Sequence, residues 1–564
     1  MACLLSWSIP ARAQLVFSGL DALQESNARA LVSLASSKCD TNRWRVQRLF
    51  QDADGELRQA LQALGYYRIE IDKRISWTEE CWRAEIDVIT NEPVRYRVVD
   101  ISLGGAALQD AALSGLATDG SPVAGQILNH GQYERFKTTM LQRLSNQGYF
   151  EADFSRSEVI VDPASLSANL YLHLNSGPRY RFGNISFTPG ILRTDLLLNY
   201  TDIEEGDYYD SAAINELYES LNGSGYFNSV SIRTDAVDKS NDTTPVEVSL
   251  TPGIRRNYSI GAGFSTDTGP QGRLGYINRR RNDRGHQFEA RAFVSDTNSE
   301  LTGTYRWPVQ DPRTDWMSII GGIQHEDTDT SENDTFKLGV LRIRSWSKNW
   351  LWTRYANYTY EDFSIADQDE TSQLVILGVN FESAVGREIS RSERGHRINL
   401  DLRGASDSLG SDTSFLQLTA TAKWLRSLSD KTRIIMRGRL GATLKESLTE
   451  LPVSVRFFTG GDRSVRGYDY ESLGPVDING VVIGGGSLLE ASFEIDRAIA
   501  RDWSIAAFVD TGSAFNDFDP RFSTGVGIGI RWYSPVGPVR LDFAHPLDDP
   551  DRDFRLHISL GPDL

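Results

Sequence analysis

Two periodicities divide the chain near residue 255. Before it, helix-like and strand-like segments alternate; beyond it, almost every apolar stretch runs with period two. In the first half three segments share one pattern: 57–67, 136–150 and 214–227. Each has apolar residues at helical spacing and leaves through glycine and two aromatics: Gly65-Tyr66-Tyr67, Gly148-Tyr149-Phe150 and Gly225-Tyr226-Phe227. The glycines stand 83 and then 77 residues apart. Glycine reaches the left-handed conformation that commonly ends a helix without steric cost. The aromatic pair is then expected to anchor the next strand on the helix just left. Strand-like alternation follows at 68–71, 159–161 and 230–232, and a second shared element, 93–102 and 178–187, opens the next unit. The spacing predicts three tandem βααββ units of about 80 residues each, over 14–92, 93–176 and 177–254.

From Tyr258 onward the pattern has period two, and 398–403 alternate strictly. Ile398, Leu400 and Leu402 share one face of a strand whose other face carries Asn399, Asp401 and Arg403; residues 415–424 and 539–543 behave alike. A water-soluble sandwich would turn the polar face outward and pack the apolar one on a second sheet, whereas a membrane barrel reverses this. Three features favour the barrel. The strand-like segments are long enough for a tilted span of about 9–11 residues or more. Aromatics such as Trp346, Trp350, Trp352, Tyr355, Tyr358 and Tyr360 recur near segment ends, as interfacial belts do. Acidic stretches such as 326–334 suit outward loops. Residues 255–564, at roughly 19 per strand and turn, predict an antiparallel transmembrane β-barrel of about sixteen strands.

Composition narrows the classes. No run approaches the roughly 18 apolar residues of a spanning helix, and the mean hydropathy is −0.36. A net charge of −17 argues against a nucleic-acid partner, which needs a basic surface. The opening apolar run and Ala11-Arg12-Ala13 have the form of a signal peptide over 1–13, without its basic start. Export would leave Cys39 and Cys81, read as a disulfide ahead of two free thiols. The seven histidines form no HExxH and no GxSxG occurs, so no enzyme, metal or cofactor is expected.

The repeated units resemble POTRA (polypeptide-transport-associated) domains, which in that family lie in the periplasm and offer sheet edges to client chains. They could equally act as spacers. Phe457-Phe458-Thr459-Gly460-Gly461-Asp462-Arg463-Ser464-Val465-Arg466-Gly467-Tyr468, the later Phe508-Val509-Asp510-Thr511-Gly512 and residues 532–543 resemble the superfamily that joins POTRA domains to a sixteen-stranded outer-membrane barrel. The resemblance implies a loop around 452–486 folded into the lumen, with Val465, Arg466, Gly467 and Tyr468 at its tip. It also implies that Arg466 meets Asp510 and Phe508 of one strand and Glu490 of the preceding one, near Gly512.

Five POTRA domains mark the barrel assembly machinery's core subunit, and two mark a two-partner secretion transporter. Three, with the ending at 559–564, are nearest the TamA branch, the outer-membrane subunit of the translocation and assembly module. That branch implies a TamB-like, inner-membrane-anchored partner spanning the periplasm, client outer-membrane proteins of autotransporter type, and insertion through a lateral gate in the bilayer. The gate strands would carry Tyr258, Ile260 and Phe264 on one side and Phe554, Leu556, Ile558 and Leu560 on the other. Gly561 and Pro562 would stop the last ladder. A passive porin-type channel is the rival reading.

Overall fold

The computed structural model describes residues 14–560, apart from 80, 348, 387–392, 446, 517–518, 535–536 and 550–552. The expected leader at 1–13 and the Gly561-Pro562 stop lie outside the described residues.

Three three-stranded sheets precede the barrel. The first unit contains β1 (Gln14–Ser18), α1 (Ala22–Leu31), α2 (Arg43–Gln62), β2 (Ile69–Trp77) and β3 (Trp82–Thr90), in the spatial order β1-β3-β2. Period two on β3 buries Trp82, Ala84, Ile86 and Val88 with Ala28, Val46, Leu57 and Leu61 of the helices, and leaves Arg83, Glu85 and Asp87 in water. Asp21 starts α1 as a capping box: its carboxylate accepts from the Gln24 N–H, and the Gln24 side chain accepts from the Asp21 N–H. A disulfide joins Cys39 to Cys81, 42 residues on.

The second unit contains β4 (Arg95–Gly104), α3 (His130–Asn146), β5 (Asp153–Asp162) and β6 (Ser167–Asn175), in the order β4-β6-β5. Its expected first helix is replaced by two 3₁₀ turns, Ala106–Gln109 and Ala111–Leu113. Gly104, Gly105, Gly115 and Gly120 around this stretch each disfavour a longer helix. The third unit contains β7 (Arg181–Thr188), α4 (Thr194–Leu198), α5 (Ser211–Gly223), β8 (Phe227–Arg233) and β9 (Thr243–Pro252), in the order β7-β9-β8.

The glycine-aromatic-aromatic exits do more than return the chain to its own helix. Gly148 has φ +86°, and its carbonyl accepts from the Tyr180 N–H (2.9 Å) at the head of the next unit. Tyr149 enters the core of its own unit, whereas Phe150 turns away to meet Tyr180 at a tilt and Tyr209 edge to face (centroids 5.5 and 4.8 Å). The earlier copy repeats this division. The Gly65 carbonyl accepts from Val94 N–H (2.9 Å), Tyr66 packs on the first core, and Tyr67 packs on the second and bonds His130 Nε2 (2.8 Å). The expected anchor is thus half right: the first ring closes its own unit and the second docks on the next.

Sixteen strands close the barrel. The first eight are β10 (Arg256–Ser265), β11 (Gly269–Asn278), β12 (Gln287–Val294), β13 (Asn298–Pro308), β14 (Asp315–Asp327), β15 (Ser331–Ser347), β16 (Trp350–Ile365) and β17 (Gln368–Val385). The rest are β18 (Arg394–Ala405), β19 (Phe415–Ser427), β20 (Thr432–Lys445), β21 (Ser487–Ala500), β22 (Trp503–Phe515), β23 (Ser523–Ser534), β24 (Gly537–Pro546) and β25 (Arg555–Leu560). Neighbours pair antiparallel in chain order.

The pleat settles which face is which. Leu400, Leu402, Leu416 and Leu418 stand exposed on the outside, while inside Asp401 accepts from the Tyr355 hydroxyl (2.9 Å) and Arg403 donates to Gln417 Oε1 (2.8 Å). An exposed apolar face around a hydrogen-bonded polar interior is the arrangement lipid demands. Two boundaries differ from expectation. The acidic stretch 326–334 is mostly strand, because β14 and β15 pair out to Asp327↔Glu332 and leave only a tight turn. The last strand begins at Arg555, so Phe554 precedes it rather than belonging to it.

Candidate functional site: lumenal loop and seam

Between β20 and β21 the chain turns back into the lumen. Glu361 of β16 holds its root, accepting from the Ser454 N–H (3.0 Å) and hydroxyl (2.5 Å). Arg456 donates to the carbonyls of Leu451 (2.8 Å) and Ile483 (3.1 Å) and to Gln368 Oε1 (2.8 Å). Phe458 joins a small apolar cluster with Phe363, Ile365 and Val453. These contacts fix where the loop enters; backbone bridges Phe457↔Gly485 and Thr459↔Leu473 keep its two legs together.

At the tip, Arg466 is 3% exposed and surrounded by carboxylates. Its guanidinium meets Asp510 of β22 side-on, Nε donating to Oδ2 (2.6 Å) and Nη2 to Oδ1 (3.0 Å). Nη1 reaches Glu494 of β21 (2.9 Å) and Asp542 of β24 (3.1 Å). Its Cζ lies 3.3 Å from the centroid of the Phe508 ring, a close cation–π contact. Arg531 of β23 closes the circuit by bridging Asp542 (2.5 Å) and Glu494 (3.1 Å). Each buried charge therefore has an opposite neighbour, the condition under which burial is tolerated.

Steric fit supports the clamp. A Cβ on Gly512 would lie 2.8 Å from Val465 Cγ2, and one on Gly525 would lie 1.8 Å from the Arg466 carbonyl oxygen. Gly467 turns with φ +101°, and Tyr468 is buried beyond it. Of the residues expected around Arg466, the structure brings Asp510, Phe508 and Gly512 to the tip. Glu490 is a correction: it accepts from Ser464 and pairs with Arg439 (3.1 Å), while Glu494, two pleat repeats further along β21, takes Arg466. Glu494, Arg531 and Asp542 were missed, although each occupies the inward phase of its strand, a signal the alternation carried.

The seam is the weak line of the wall. β16 and β17 pair without a break from Trp350↔Ser383 to Ile365↔Gln368, whereas among the described residues β10 and β25 share the single register pair Ser265↔Ser559. Beside it the Thr266 N–H donates to the Ile558 carbonyl (3.1 Å) and the Ile558 N–H to Thr266 Oγ1 (3.3 Å). Tyr258 and Ile260 of β10 are exposed and lie beyond this pairing. Among the described residues no cluster fit for a metal ion occurs.

The sequence profile described as the Omp85 superfamily domain matches residues 256–563. The chain belongs to the Omp85 superfamily. A profile described as POTRA domain TamA domain 1 matches 14–90, and a POTRA profile described as surface antigen variable number repeat matches 180–253. The outer membrane protein assembly factor BamA of Nitratidesulfovibrio vulgaris is 24% identical over 384 residues, 65% of this chain and 48% of its own. BamA of Neisseria meningitidis serogroup B is 22% identical over 604 residues, 92% of this chain and 73% of its own. The chain spans about half the length of the first of these relatives. The structure of Haemophilus ducreyi BamA lacking POTRA domains 1–3 matches with a TM-score of 0.70 at 16% identity, covering 83% of this chain and 100% of that one; the fold is shared. As an Omp85 barrel with N-terminal POTRA domains, the protein resides in the bacterial outer membrane with those domains in the periplasm.

Proposed function

We propose that this Omp85 protein assembles or secretes other outer-membrane proteins through a lateral gate between β10 and β25. The single observation carrying this reading is the seam: among the described residues, one register pair in a wall otherwise stitched along its strands. An edge so weakly paired can exchange its partner for an incoming client strand, the hydrogen-bonding groups being supplied on both sides. Local thinning of the bilayer at short strands would lower the insertion barrier further. A Thr266→Cys/Ile558→Cys disulfide across the seam should abolish client assembly in membranes and restore it on reduction. Undiminished assembly with the seam locked would sink the gate.

The finer reading is a TamA-type subunit working with a TamB-like periplasm-spanning protein and with autotransporter-type clients. Three sheets ahead of the barrel and the match of the TamA-type POTRA profile to 14–90 support it. Capture from native envelopes should bring down a large inner-membrane-anchored protein; recovery of barrel-machinery lipoproteins instead would favour the core-subunit alternative. The porin-type alternative is disfavoured by the loop filling part of the lumen, and planar-bilayer recordings should show low, irregular conductance.

A further inference from the structure

The lumenal loop touches both strands of the seam. Towards β10, the Asp462 carboxylate accepts from the Ser265 hydroxyl (2.8 Å), and the Asp462 N–H donates to Asp267 Oδ2 (2.5 Å) in the turn after that strand. Towards β25, the Gly467 N–H donates to His557 Nε2 (3.0 Å), and Asp469 pairs with Arg555. With Nε2 accepting, the ring proton sits on Nδ1, 4.0 Å from Asp267 Oδ1. The two arms are only five residues apart in sequence, and Arg466 stands between them, fastened to β21, β22 and β24. Hydrogen bonds and ion pairs thus tie the loop to both strands of the seam, beside the direct contacts between those strands.

The arms are not equivalent. The β25 arm and the Arg466 clamp belong to one continuous stretch of wall, because β21 to β25 are laddered strand to strand. The β10 arm is separate, and it sets the Asp462 and Asp267 carboxyl groups against each other. We propose that the loop is a latch across the gate and that its Asp462 contact with Ser265 and Asp267 is the release point. On opening, the loop travels with the C-terminal wall and lets go of β10. This rests on the seam being the gate and adds what holds it shut.

The test uses the full-length protein in lipid vesicles with Thr266→Cys/Ile558→Cys, side chains the latch does not use, and reads the rate of disulfide formation. Asp462→Ala should slow crosslinking about threefold or more, the effect of losing the hydrogen bond from Ser265. Asp462→Asn keeps an acceptor for Ser265 and removes one charge from the pair, so it should crosslink as fast as the parent or faster. Heat-modifiable migration confirms that each barrel is folded. Parental crosslinking in Asp462→Ala, or equal slowing by Asp462→Ala and Asp462→Asn, would overturn the release point. So would slowing by Arg555→Ala with none from Asp462→Ala. Failure of the gate itself reads differently: a fully crosslinked seam would then leave client assembly intact while the Asp462 series still altered the crosslinking rate.

Discussion

The wall from β21 to β24 and the seam between β25 and β10 are neighbours in one barrel and are built on opposite terms. The wall has long ladders, and its lumen face carries Asp510, Glu494, Arg531 and Asp542 gathered around Arg466. Among the described residues the seam has one register pair and the Thr266–Ile558 hydrogen bonds, and the loop touches both of its strands. The contrast teaches that pairing here is uneven: a densely bonded clamp stands beside a sparsely paired joint, and opening along that joint, as proposed above, would leave the clamp whole. It also places the same loop on both sides of the division, as the clamp's cation and as the joint's fastening.

The comparison can be broken most severely at the clamp. Arg466→Ala leaves three carboxylates without their shared cation, and losing one member of a buried ion cluster costs about 3–5 kcal/mol. Urea unfolding of the lipid-reconstituted barrel should show that loss, and the Arg466→Asp/Asp510→Arg exchange should recover part of it if the pairing is coupled. Gly512→Leu pushes a side chain into Val465, and overpacking of this kind costs about 1–3 kcal/mol; the same unfolding experiment reads it. At the seam the scale shrinks. Arg555→Ala removes a half-exposed pair with Asp469, for which about 0–1 kcal/mol is expected.

The seam also carries a pH dependence. Burial, and then the nearby Asp462 carboxylate, push Asp267 up to about 7, well above an ordinary aspartate. Arg555 opposes the shift, and His557 and Tyr470 also face this group. The closed seam therefore keeps a proton that an opened, hydrated Asp267 would release between about pH 4 and 7. Stability of the closed state is full below that window and declines as pH rises through it. Spin labels at 266 and 558 should show a larger short-distance fraction at pH 5 than at pH 8, and Asp267→Asn should flatten the difference.

Much of this was legible in the sequence because it is written locally. Period two marked β18, β19 and β24, and the recurring Gly-aromatic-aromatic exit marked the ends of three helices. What escaped depends on contacts between distant segments. Glu490 and Glu494 occupy the same inward phase of β21, so alternation offered both and could not choose; only the depth of the loop tip selects Glu494 for Arg466. The extension of β14 and β15 to Asp327↔Glu332 was hidden by an acidic run that reads as loop until the pairing partner is known. The glycines of the second unit disfavour its first helix, a local signal that the repeat spacing behind the βααββ prediction does not contain.

The division of labour between Tyr149 and Phe150 bears on how the protein is made. A unit whose last ring is seated against Tyr180 and Tyr209 of its successor is not finished by its own residues. Each such unit is completed by the one that follows it, so the row closes from its N-terminal end onward, one ring at a time. A transplant or deletion cut at the visible boundary near Pro178 would strand Phe150 without its cover; moving the cut past Tyr209 keeps the joint whole.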